Sequence, residues 1–187
     1  PYGYYKYKGY KIVLPKQVLL DDIAWMLCKT DEMGCTIESR LRTELKEQFY
    51  RLYEEIFRKN VQNMQKVSVM DYYQCWKLRG DNPYAYRLEE EELLLRMKKR
   101  SIQRIERYEF NDKISDNLRK VGCYRNLYRA YHFDKQARKV GDERTEFKTD
   151  QRYADIVCQL QEKMIRNLVR EGIGVETNPS SNYLIGT

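Results

Sequence analysis

Near the end of the chain, Glu176, Asn178, Ser180, Ser181 and Asn182 gather a carboxylate, amides and hydroxyls around Pro179. They follow Ile173-Gly174-Val175, a short apolar run that reads as a buried strand. Polar groups at the carboxyl end of such a strand line the active-site mouth in barrel and open α/β folds. Asn, Pro and Ser also build ordinary polar turns, and composition alone leaves both readings open. Elsewhere the chemistry is sparse. His132 is the only histidine. One imidazole does not make a zinc site, and the flanking Tyr131 and Phe133 give it a structural reading. The five cysteines are odd in number and include no CxxC pair, so they read as reduced thiols rather than a disulfide or metal framework. Arg79-Gly80-Asp81 spells an adhesion-type triplet. With no secretory feature in the sequence and Asn82-Pro83 behind it, it reads as a turn.

The helix that must deliver the polar segment spans Asp150 to Glu171. Tyr153, Ile156, Val157, Leu160, Met164 and Leu168 recur on one face of it, and Gly172 ends it. Upstream, a helix begins near Gln17 and breaks at Asp31 to Gly34. Thr36 or Ser39 then starts a long amphipathic helix to about Gln65, on the stripe Ile37, Leu41, Leu45, Phe49, Leu52 and Ile56. Asp71 caps or begins an aromatic helix with Tyr72, Tyr73 and Trp76, which stops at the Arg79 to Pro83 turn. Leu88 to about Tyr108 is helical, acidic in front and basic behind, the polarity that the helix dipole favours. Short helices are expected at Ile114 to Val121 and Arg125 to Tyr131, and Phe133 to Thr149 reads as polar loop with some helix. The opening stretch through Pro15 carries five tyrosines and no acid, with a short strand expected at Tyr10 to Leu14. It reads either as a surface for a nucleic-acid strand or as an extended segment packed on a neighbouring domain.

Charge and size set the outer bounds. The 187 residues suffice for one domain with a real core. A net charge of +7 attracts nucleic acid or anionic partners without specifying either. Because the basic residues are spread along the chain, ordinary solvated helix faces explain them as well. No apolar run reaches membrane-spanning length and no signal peptide opens the chain, so a cytoplasmic location without membrane contact is expected. The first residue, Pro1, suits a processed product, a trimmed chain or an internal fragment.

The string GIGVETNPSSNYLIG resembles the late-strand motif of the adenosine and AMP deaminase superfamily, a Gly-Ile, Glu, Pro-x-Ser-Asn signature. The likeness extends loosely into the preceding helix through Gln161 and Met164. KIVLPKQVLLDDIAWML resembles a segment following the Gly-His strand in large bacterial deaminase-like proteins, where DYYQCWKLRGDNPYAYR and YHFDK also have counterparts within a long helical insertion. The relatives suggested are the deaminases of RADAR-type antiphage defence. The resemblance implies a zinc-dependent (β/α)8 barrel that deaminates adenine at C6 to an inosine product. Its metal ligands would lie in an early His-x-His strand, a middle His strand and a late Asp strand, none of which this sequence contains.

The resulting expectation is a mostly α chain: a long helical insertion plus one or two strands belonging to an incomplete metal-dependent deaminase barrel. Residues 1–35 would be barrel-associated loop and helix, 36–149 the insertion, and 150–187 the barrel helix, strand and mouth loop. Glu176, Asn178, Ser180, Ser181 and Asn182 would support the substrate pocket, with no catalytic residue and no metal ligand in this chain. Zinc would belong to the complete protein, and this chain alone would be inactive. Expected partners are the remaining barrel segments, further copies in a homo-oligomer, and an adenosine nucleotide or RNA substrate. The insertion would serve assembly or cover the active site. The competing expectation is a basic helical module that binds nucleic acid or a protein without catalysis.

Overall fold

The computed structural model describes residues 11–87 and 110–173, together with Glu92, Leu95, Met97 and Lys98. Helix α1 (Lys16–Glu32) lies at its centre. Leu19, Leu20, Ile23, Ala24, Met26, Leu27 and Cys28 are all buried, and such a spread covers more than one face. A helix apolar over so wide an arc must be covered on several sides. Helices α2 (Ser39–Tyr53) and α3 (Val69–Trp76) do most of this covering. Leu41, Leu45, Phe49 and Leu52 of α2 form one stripe, and Phe49 and Tyr53 join Tyr72 of α3 in an aromatic cluster with centroids 5.4–6.2 Å apart. Short helices α4 (Asp116–Lys120), α5 (Gly122–Phe133) and α6 (Lys135–Gly141) follow, and α7 (Gln151–Arg170) closes the described chain. One hydrophobic core runs continuously from Leu19 to Leu160.

The chain is mostly α, and its sheet is a single antiparallel pair among the described residues. Strand β1 (Lys11–Pro15) pairs with β2 (Arg144–Lys148), Ile12 opposite Phe147 and Val13 opposite Glu146. Phe147 turns inward against Tyr153, with ring centroids 5.0 Å apart. Lys16 extends the pairing: its N–H donates to Glu143 O at 2.9 Å, and its ammonium bridges the carboxylates of Glu143 and Glu55. The strand expected at Tyr10 to Leu14 is thus present one position later. Its partner occupies what reads in the sequence as loop, because a strand of Arg, Thr, Glu, Phe and Lys has only one inward residue to reveal it.

Three local expectations are corrected. The long helix does not reach Gln65. After Tyr53 it widens into a π turn (Glu54–Arg58), where Lys59 N–H donates to Glu54 O five residues back at 3.1 Å. Asn60 then ends it, donating through Nδ2 to Glu55 O and Ile56 O, and Asn63 turns the chain at φ 58°. Asp71 does not begin the aromatic helix. Ser68 caps it, accepting from Asp71 N–H while the Asp71 carboxylate accepts from Ser68 N–H, a reciprocal capping box. The predicted face of α7 is buried only in its first half. Ile156 and Leu160 are buried and Tyr153 and Val157 half-buried, whereas Met164 is exposed and Leu168 only half-buried; Ile165 and Val169, beside that face, are exposed as well. The helix expected at Leu88 to Tyr108 falls largely outside the described residues; its four described positions are helical.

Candidate functional site

The five residues expected to support a pocket, Glu176, Asn178, Ser180, Ser181 and Asn182, lie outside the described residues. The approach to them is described. Gly172 adopts φ 68°, its N–H donates to Val169 O at 3.1 Å, and Ile173 N–H donates to Leu168 O at 3.0 Å. This paired return is a Schellman ending, and its left-handed position favours glycine. Helix α7 therefore stops where the sequence predicts.

Within the described residues, a cleft of about 480 Å³ opens between the 3-10 turn Pro83–Arg87 and helices α5 and α6. Tyr84, Arg87, Phe133 and Arg138 line it, with His132 behind and Asp142 at its edge. Three separate segments supply them, so no local motif announces the site. The Arg87 guanidinium carbon lies 4.4 Å from the Phe133 ring centroid and 5.4 Å from that of Tyr84. Stacking of this kind fixes the plane of a guanidinium while leaving its N–H edges free to donate. The π turn contributes Phe57, fully buried, to the cleft lining.

His132 sits against the rings of Tyr128, Tyr131 and Phe133, at 4.5, 5.0 and 6.1 Å. Its Nε2 is buried without a hydrogen-bond partner among the described residues. Burial disfavours the imidazolium, and the positive charges of Arg79 and Arg138 disfavour it further, so its pKa falls below the ordinary 6.5. A zinc ion does not fit here. No three His, Cys, Asp or Glu side chains converge among the described residues, and the imidazole is packed within a ring of aromatics. Burial pushes the Cys28 thiol up to about 11 and that of Cys75 higher still, which disfavours the thiolate at both.

Two polar networks, the first half-buried and the second buried, hold the walls of the cleft. Asp21 of α1 accepts from Tyr72 Oη at 2.7 Å, Arg79 at 2.6 Å and Tyr131 Oη at 3.3 Å, tying α1, α3 and α5 together. Asp81 and Arg119, both fully buried, meet in a bidentate pair at 2.7 and 2.8 Å. Asp81 also accepts from Tyr86 Oη and Asn111 N–H, each at 2.7 Å. The adhesion-type triplet is therefore the start of an internal ion pair, with its aspartate turned inward. Gly80 allows this close passage, since a Cβ there would stand 2.8 Å from Asn111 Nδ2 and 2.9 Å from Ile114 Cδ1. No helix among the described residues is long and apolar enough to cross a membrane. The fold and site define a helical protein with a cationic, aromatic-lined cleft; models of known families and curated proteins give no match to the chain.

Proposed function

We propose that this chain is a segment of a zinc-dependent adenosine-deaminase-like hydrolase of a bacterial antiphage system. Residues 36–149 would form a helical insertion between barrel elements. On this reading the polar string from Glu176 to Asn182 shapes the mouth of the barrel, and the metal ligands belong to other parts of the protein. The protein works in the cytoplasm as a homo-oligomer on an adenine nucleotide or RNA, and the insertion serves assembly or covers the site.

One structural observation supports the reading beside the sequence motif. The second half of α7 keeps Met164, Ile165 and Val169 exposed on the helix that leads directly into the motif, and Ile173 after it is exposed too. A helix in a barrel lays its apolar face on the sheet, and a face left open in this position suits a sheet supplied from elsewhere in the protein. The test is the coding sequence on either side together with an assay of the chain. A His-x-His strand upstream and a Ser-x-Asn-Thr-Asp-Asp-like strand downstream are expected. The 187-residue chain supplied with zinc and adenosine should release no ammonia. Flanking sequence without those strands, or deamination by this chain alone, overturns the reading.

A further inference from the structure

The cleft beside the Pro83–Arg87 turn has no place in the deaminase reading, and its chemistry is specific. Its volume of about 480 Å³ falls in the range of small-ligand sites. Arg87 and Arg138 both line it, and neither has a carboxylate at ion-pair distance among the described residues. Arg42, Arg79 and Arg152 are ion-paired, while Arg51, Arg129 and Arg144, like Arg87 and Arg138, have no ion pair among the described residues. What sets Arg87 and Arg138 apart is that both line one hollow. Two unpaired guanidiniums facing one hollow, one of them held flat against rings, form a receptor for a phosphate.

The rings specify more than an anion. Tyr84 is 64% exposed, unusual for so large an apolar surface, and stands 5.6 Å from Phe133. An exposed tyrosine beside cationic groups offers a stacking plane for a nucleobase. Asp142, at the cleft edge without an ion pair among the described residues, can accept from a sugar hydroxyl, as a lone carboxylate does in dinucleotide sites. A simple anion would leave the rings unused, and an apolar ligand would strand the guanidiniums.

We propose that this cleft binds a nucleoside phosphate, free or as one residue of a single strand, with the phosphate on Arg87 and Arg138 and the base on Tyr84. This does not rest on the deaminase reading, because none of the motif residues line the cleft, and absence of deamination leaves it standing.

Calorimetric titration of the 187-residue chain with AMP, adenosine, inorganic phosphate and a short single-stranded oligoadenylate tests it. AMP is expected to bind about tenfold or more tightly than adenosine or phosphate, since each lacks half of the contacts. Arg87→Gln and Arg138→Gln should each weaken AMP by roughly tenfold, as loss of a charge-assisted hydrogen bond does. Tyr84→Ala should weaken it too. Arg144→Gln, an equal change of charge at an exposed position on β2, should leave it unchanged. All these side chains are exposed, so the variants should keep the helical circular dichroism of the parent. The His132 C2 proton, the only one of its kind, should shift as AMP is added. An oligoadenylate that binds more tightly than AMP and weakens with the same variants identifies a strand as the source; equal affinity identifies the free nucleotide. Phosphate binding as tightly as AMP, cleft variants indistinguishable from Arg144→Gln, or oligoadenylate binding without AMP binding overturns the proposal.

Discussion

Asp81 shows how far one side chain's role lies from its sequence neighbours. Beside Arg79 and Gly80 it resembles an exposed ligand. Its partner is Arg119, 38 positions onward, and no spacing rule connects a turn aspartate to an arginine at that distance. Removing one member of a buried pair strands the other. Asp81→Ala should therefore cost about 3–5 kcal/mol, read from urea unfolding. His132 shows the opposite case. Its aromatic neighbours and its solitude mark it in the sequence as structural, and the packing agrees. Its lowered pKa means that the folded chain binds this proton more weakly than the unfolded chain. Stability from the neutral ring is present above the ordinary value of 6.5 and is lost as pH falls through the folded value. Proton NMR should find its midpoint below 6.5, and His132→Gln should flatten the fall in urea midpoint across that interval. Asp31 and Asp71 act further into acid. The Arg42 guanidinium lowers the first and the Ser68 hydroxyl the second, so their contribution is present above about pH 3.8 and lost below it.

At the scale of elements, what was legible is what repeats locally. Leu41, Leu45, Phe49 and Leu52 announce α2, and Asp150 and Gly172 bracket α7 to within a residue. The π turn was not legible, since the stripe continues through Ile56 and only the Asn60 side chain diverts the backbone. Nor was β2, whose pairing depends on a strand more than a hundred residues earlier. The cleft escaped for the same reason: Tyr84, Arg87, Phe133 and Arg138 meet only after the Pro83–Arg87 turn has packed against α5 and α6. Ser68→Ala removes the hydroxyl that accepts from Asp71 N–H, leaving the N–H of residue 68 to donate to the Asp71 carboxylate, and should cost about 1 kcal/mol, measured by thermal or urea unfolding. Gly172→Ala should cost about 1 kcal/mol from backbone conformation alone, because a Cβ there meets nothing within 4 Å. The open face of α7 gives a sharper contrast. Ile165→Glu with Val169→Glu should change the stability of the 187-residue chain by less than about 0.5 kcal/mol. In the complete protein the same pair should destabilise strongly if a sheet covers that face. Equal, small effects in both would remove the structural support for a barrel.

For the molecule as a whole, the core is shared rather than partitioned. α1, at the front of the sequence, packs against α2, α3, α6 and α7, so stretches assigned to barrel and insertion contribute to one interior. Local periodicity could not reveal this, because it states which face of a helix is buried and not against what. The positive charge likewise carries no address in the sequence. Only the fold brings Arg87 and Arg138, two guanidiniums without an ion pair among the described residues, to one hollow.

The β1–β2 pair places the two ends of the helical body side by side, with Pro15 opposite Arg144. To any larger protein that contains it, the body is attached as a short loop would be. An unstructured span of ~130 residues would cost such a host about 3 kcal/mol more in closure entropy than a four-residue turn, at ~0.6 kcal/mol per doubling. Clasped by its own strands, the body meets that cost internally. Because α7 also packs on α1, the clasp fixes where the chain enters and leaves the body without separating it from the helix that follows.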